Sequence, residues 1–137
     1  MARLRRLPPD ALAALFAVSG VLHIVRPSGF EPLIPPFMPA PAAIIAVSGV
    51  AELVCAVGLF RRERWAGLAS AALLVAVFPG NLWFAISTAA DPASPSWLSA
   101  GAWARLPLQV PLIWAALQAR TSGLTQAGQA GHDPNDR

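Results

Sequence analysis

The stretch AVSGVLHIV at residues 17–25 recurs as AVSGVAELV at residues 46–54, with six of nine positions identical. Each copy joins a Ser-Gly pair and one ionisable side chain, His23 or Glu52, to otherwise apolar residues. The pair lies three or four residues before that side chain and therefore shares its helical face. Small residues on a helix allow a neighbouring helix to approach closely. Alternatively, the similarity of the two stretches is a coincidence in a chain rich in Ala and Val.

The composition around these stretches is typical of a membrane protein. Of the 137 residues, 55% are hydrophobic and 12% are charged, whereas an ordinary soluble domain is about 25% charged. The mean hydropathy is +0.54. We therefore expect a multi-pass protein of the inner (cytoplasmic) membrane, with the lipid bilayer as its main surroundings.

Four apolar segments predict helical spans at about residues 8–25, 42–60, 65–86 and 97–118. A span needs about 20 residues to cross a hydrocarbon core of about 30 Å, so the first is short. The sequence thus predicts an all-α fold, with a transmembrane four-helix bundle over residues 1–118. The polar composition of residues 119–137 predicts a disordered cytoplasmic tail.

The first two spans are joined by a proline-dense segment, PSGFEPLIPPFMPAP at residues 27–41, which we call the connector. Six of its fifteen residues are Pro, so it cannot form a regular helix. It also contains large apolar side chains such as Phe30 and Ile34. These features predict an outer loop that caps the mouth of the bundle.

The basic residues predict the orientation of the chain in the membrane. All ten are Arg, and the loop opposite the termini holds only Arg26. The positive-inside rule therefore predicts both termini in the cytoplasm. Their clustering beside apolar runs argues against a nucleic-acid partner. Eight of them fall on one side of the predicted bundle, namely Arg3, Arg5, Arg6, Arg61, Arg62, Arg64, Arg120 and Arg137.

The sequence lacks the residue patterns that several kinds of chemistry require. Cys55 is the single cysteine, so no internal disulfide is expected, and we interpret it as a packing residue. Only one His lies in a predicted span, so no metal site is predicted. The sequence has no phosphate-binding loop and no catalytic-triad order. Whether the protein is an enzyme stays open at this point.

Glu52 is the most informative polar residue, because a carboxylate within an apolar span costs a few kcal/mol on insertion scales. It should face the bundle interior and have a partner. Helical rise places Arg105 at a similar depth, which predicts a Glu52–Arg105 contact. A purely structural role for Glu52 is the alternative, as is an unpaired Arg105 whose side chain reaches the membrane surface.

Three further polar residues are predicted near this pair. Gln109 follows Arg105 by four residues on the same helical face, and Asn81 follows Pro79, which frees the carbonyl of Val75. Hydrogen bonding to that carbonyl is the structural alternative for either amide. His23 is predicted near the outer end of the first span. It could bind a ligand there, or it could form a structural hydrogen bond at the membrane interface. The predicted ligand-binding cluster comprises Glu52, Asn81, Arg105, Gln109 and His23.

The order of these motifs resembles the DoxX-like family of small four-helix membrane proteins. The motifs are SGVLHIVRP at 19–27, SGVAE at 48–52, VFPGN at 77–81 and RLPLQ at 105–109. The resemblance spans roughly residues 12–117. It implies an accessory subunit of a membrane redox system, with a quinone or a lipid head group in the polar pocket.

Two other functions compete with this interpretation. The first is a small carrier or permease, which would have to form a homo-oligomer because one four-helix chain is small for transport. The second is a structural assembly factor for another membrane complex. The expected partners are thus the bilayer together with a redox partner, further copies of the chain or another membrane complex.

Overall fold

The computed structural model describes residues 8–129, with side chains as far as residue 119. It confirms the all-helical prediction, and residues 8–129 contain no strand. The N-terminal arginines at 3–6 and the end of the predicted tail, residues 130–137, lie outside the described residues. The α-helices are α1 (Pro9–Val25), α2 (Pro41–Phe60), α3 (Ala66–Ala90) and α4 (Ser96–Gln129).

Proline sets several of these boundaries. Pro stands in the first turn of both α1 and α2, where its fixed φ favours helix and its missing N–H is not needed. Arg26 ends α1 because the residue before Pro27 is kept out of the helical region. In the connector the backbone forms only two short 3₁₀ turns, Pro27–Gly29 and Glu31–Leu33, in agreement with its proline content.

Helix α4 is longer than the sequence predicted. It continues to Gln129, whereas a disordered tail was expected from residue 119. Residues 119–129 contain no Pro, and adding a residue to an existing helix costs far less than starting a new one. The polar composition of this segment therefore does not end the helix.

The helices pack mainly as two antiparallel pairs, α1 with α2 and α3 with α4, with a smaller contact between α2 and α3. The main apolar cluster lies toward the end of the molecule that carries the α2–α3 turn, which we call the turn end. Cys55 is buried there, as its interpretation as a packing residue required. The cluster includes Leu12, Phe16, Cys55, Leu59, Ala66, Leu74 and Ala116.

The two Ser-Gly stretches form the contact between α1 and α2. A Cβ atom on Gly20 would lie 2.8 Å from the carbonyl oxygen of Gly49. A Cβ atom on Gly49 would lie 2.7 Å from Cβ of His23. The two backbones therefore touch, and the close approach expected from these small residues is observed. We call this contact the glycine crossing.

The connector folds back over the opposite end of the molecule, which we call the connector end. The carbonyl oxygen of Leu33 lies 3.0 Å from the position that a Cβ atom on Gly80 would occupy. Gly80 therefore lets the connector backbone rest directly on α3. This contact, together with those that the connector makes with α1 and α2, gives the cap that its composition predicted.

The turn end is held by a charged contact. Arg62, in the left-handed region with a φ of 60°, places its guanidinium 3.2 Å from Asp10 at the start of α1. Both side chains are largely exposed, so this ion pair adds little stability. It joins the α2–α3 turn to the first turn of α1.

Two helices, α2 and α3, are long and apolar enough to cross a membrane. Helix α1 and the first turns of the connector together form a third apolar segment, bent by 108°. Many large apolar side chains point outward from these helices. They include Val21 and Ile24 of α1, Val47 and Val54 of α2, and Val75 and Ile86 of α3.

Candidate functional site

His23 and Glu52 meet at the glycine crossing. They occupy the same position, the seventh, in the two nine-residue stretches. His23 Nδ1 lies 3.3 Å from Glu52 Oε2, and their side chains are only 12% and 9% exposed. The predicted contact between Glu52 and Arg105 is wrong, because the ionisable side chain that the structure places beside Glu52 is that of His23.

The His23 ring is held on several sides. Nδ1 lies 2.8 Å from the carbonyl oxygen of Ser19 and donates its hydrogen there. The ring stacks on Phe30 of the connector, with centroids 3.6 Å apart and planes inclined by 23°. One N–H cannot serve two acceptors well, and Glu52 Oε2 has no hydrogen bond within the described part of the chain. His23 Nδ1 and Glu52 Oε2 are therefore close neighbours without a hydrogen bond between them.

A cavity of about 270 Å³ lies beneath the connector, next to this pair. Its walls come from the connector, α1, α2 and α3, and most of its lining is apolar. Among the lining residues, the polar side chains are those of His23 and Ser48. Because Nδ1 is occupied by Ser19, the opposite ring nitrogen, Nε2, remains for a molecule in the cavity.

The other predicted site residues lie elsewhere. Gln109 is buried between α3 and α4 and donates from Nε2 to the carbonyl oxygen of Leu74, at 3.1 Å. That carbonyl is adjacent to the one that Pro79 leaves without its helical donor. Gln109 thus hydrogen-bonds a backbone carbonyl of α3, which was its structural alternative. The carbonyl is that of Leu74 and not the expected one of Val75. Asn81 is buried in α3 and does not line the cavity.

Arg105 is exposed on α4. Its charge reaches Glu52 electrostatically, but within residues 8–119 the two form no ion pair or hydrogen bond. The five predicted residues therefore do not form one cluster, and Asn81 and Arg105 lie apart from the other three. His23 and Glu52 lie beside the cavity, and Gln109 joins α4 to α3.

Sequence reasoning missed the contributions of Phe30 and Ser48. Phe30 was recognised only as an apolar residue of the connector, and Ser48 only as part of a Ser-Gly pair. The shared position of His23 and Glu52 in the two stretches was the signal that would have paired them. Because α1 and α2 are antiparallel, these equivalent residues lie on opposite sides of the crossing, but each is within one helical turn of its glycine, so the two side chains can still meet.

The residues around the cavity indicate which molecules it can hold. No group of three His, Cys, Asp or Glu side chains is placed to hold a metal ion among the described residues. The cavity combines apolar walls, one ring nitrogen and one hydroxyl group. Pockets of this kind hold small molecules with an apolar body and few polar groups.

Comparison with known proteins identifies the family. A family model described as a domain of unknown function, DUF8561, matches residues 12–120, and the chain belongs to this family. The resemblance to DoxX-like proteins is therefore wrong, and the redox role that it implied loses its support. No curated protein and no solved structure matches the chain.

The pairing of Glu52 is tested by a double-mutant cycle. We expect His23→Ala and Glu52→Ala to be non-additive in the free energy of unfolding, with a coupling of about 0.5–1.5 kcal/mol. Truncating either side chain removes the same contact, so the second truncation costs less than the first. Thermal or denaturant unfolding in a bilayer mimic measures the coupling.

The matched control is the cycle of Arg105→Ala with Glu52→Ala. The structure predicts a smaller coupling there, because Arg105 is exposed and acts only over distance. A larger coupling for Arg105 than for His23 would contradict this assignment.

Proposed function

We propose that this chain is a multi-pass inner-membrane protein that binds a small amphipathic ligand beneath the connector. In this proposal all four α-helices span the membrane, and both termini are cytoplasmic. The observation that carries the binding function is the apolar cavity beside the buried His23–Glu52 pair. Ionisable side chains are costly to bury in an apolar bundle, and such residues commonly mark functional sites in membrane proteins.

Helix packing supports four spans. Helices α2 and α3 are apolar enough to cross the membrane, and α1 and α4 each pack along one of them. A helix packed in this way lies at the same depth as its neighbour. The exposed Arg105 on α4 is compatible with this placement because a long Arg side chain can reach the interface. The arginines of the turn end favour its cytoplasmic location.

The cavity favours a ligand that carries a hydroxyl group on an apolar body. In a neutral imidazole whose Nδ1 carries the hydrogen, Nε2 is an acceptor. A ligand hydroxyl group can donate to Nε2 of His23 and accept from the hydroxyl group of Ser48. Lipid head groups with free hydroxyl groups and reduced quinone rings share this chemistry. Neither requires a redox reaction by the protein itself.

Ligand occupancy is the direct test of this proposal. Protein extracted together with its native lipids should carry one bound small molecule per chain in native mass spectrometry. His23→Leu should remove the molecule because it removes the ring nitrogen while keeping an apolar side chain. Ala76→Trp should also remove it, because Ala76 lines the cavity and the indole would fill it.

Ala72→Trp is the matched control, since Ala72 is exposed one turn earlier on α3 and does not line the cavity. It should retain the ligand. Retention in both His23→Leu and Ala76→Trp would overturn the proposal. A bare chain that copurifies with a second polypeptide would favour the assembly-factor alternative, and solute flux in proteoliposomes would favour the carrier.

The orientation is tested with single cysteines in a Cys55→Ala background. Ser28→Cys in the connector and Ala93→Cys in the α3–α4 loop should react with a membrane-impermeant thiol reagent added to intact cells. Arg64→Cys in the α2–α3 turn should react only after the membrane is opened. The reverse pattern, or equal labelling of all three, would contradict the proposed topology.

A further inference from the structure

A second concave surface lies on the outside of α2, at the turn end. This groove has a volume of about 470 Å³ and is separate from the cavity beneath the connector. Its sides are aliphatic side chains along α2, and its end is closed by the α2–α3 turn. The residues that define it are Val50, Val54, Val57, Gly58, Arg61 and Trp65.

Gly58 and Trp65 give the groove its shape. A Cβ atom on Gly58 would lie 2.7 Å from Cη2 of the Trp65 ring. The indole therefore lies directly against the backbone of α2 and forms a wall. Tryptophan is common at the membrane interface, where its ring lies at the level of the lipid head groups. In the proposed topology, the groove therefore runs from the cytoplasmic interface toward the apolar depth of the bilayer.

The end of the groove at the α2–α3 turn carries positive charge. Three of the four residues at 61–64 are Arg, and Arg61 lines the groove. Glu63 also lines it, and its Oε1 lies 3.8 Å from Nε of Arg61, with both side chains well exposed. This pair is long and solvated, so it does not hold the guanidinium firmly. A phosphate group would be attracted by Arg61 and repelled by Glu63.

We propose that this groove binds one acyl chain of an anionic phospholipid, with its phosphate held by Arg61. The planar guanidinium can form two parallel hydrogen bonds to a phosphate. The cytoplasmic leaflet, where anionic lipids are enriched, is where the proposed topology places the turn. The inference rests on the proposed membrane insertion and is independent of the ligand beneath the connector.

Spin-labelled lipids measure this binding. The protein is reconstituted in phosphatidylcholine vesicles, and the motionally restricted fraction of phosphatidylglycerol is compared with that of phosphatidylcholine. The wild-type chain should prefer phosphatidylglycerol. Arg61→Gln should reduce the preference about tenfold, because it removes a charge-assisted hydrogen bond to the phosphate. Glu63→Gln should increase it, because it removes the repelling charge.

Arg64→Gln is the matched control for charge, because Arg64 lies in the same turn but does not line the groove. Its effect should be much smaller than that of Arg61→Gln. Val54→Trp should fill the groove and reduce the preference, whereas Val47→Trp, exposed on α2 outside the groove, should not. Circular dichroism shows that each variant is folded.

Equal losses for Arg61→Gln and Arg64→Gln would overturn the inference, since they would show attraction to a general positive surface. Loss of the preference in Arg61→Gln alone, without any effect of Val54→Trp, would also overturn it in favour of a head-group contact without a bound chain. A chain that inserts with the proposed topology yet shows no lipid preference would overturn only this inference. A chain that does not insert would overturn the proposed function as well.

Discussion

The backbones of α1 and α2 touch at Gly20 and Gly49, and the rest of the site depends on this contact. Without a side chain between them, the helices come close enough for His23 and Glu52 to lie within 3.3 Å. A Cβ atom on either glycine would collide with the opposite helix. His23 or Glu52 alone would be costly to bury in an apolar bundle. Because the crossing places the two side chains next to each other, it lowers the cost of burying each of them.

The connector packs on the helices next to the glycine crossing. Phe30 stacks on the His23 ring at one end, and Leu33 rests on the bare backbone at Gly80. The connector is therefore held over two different helices, and the space beneath it becomes the cavity. A proline-rich segment suits this role because its restricted backbone loses little further freedom when it is fixed in place. The binding site is thus built by the same residues that position the helices.

The helices were predictable from sequence because apolar length and proline act locally. The partner of Glu52 was not, because helical rise gives the depth of a residue but not the direction in which it faces. Arg105 was matched to Glu52 by depth alone, yet α4 packs on α3 and leaves Arg105 exposed. The DoxX-like resemblance failed for a related reason, since short motifs spread along four apolar helices carry little information individually. The position of Gln109 was partly predictable, because a proline within α3 frees a nearby backbone acceptor.

A solid-state NMR distance between ¹⁵N-labelled His23 and the ¹³C-labelled side-chain carboxyl of Glu52, measured in lipid bilayers, tests whether the glycine crossing builds the site. We expect strong dipolar coupling in the wild-type chain and its loss in Gly49→Leu, where the added side chain forces the helices apart. Gly101→Leu should keep the coupling, because a Cβ atom at Gly101 meets nothing within 4 Å. Absence of the coupling in the wild-type chain, or its persistence in Gly49→Leu, would show that the glycine crossing does not build the site.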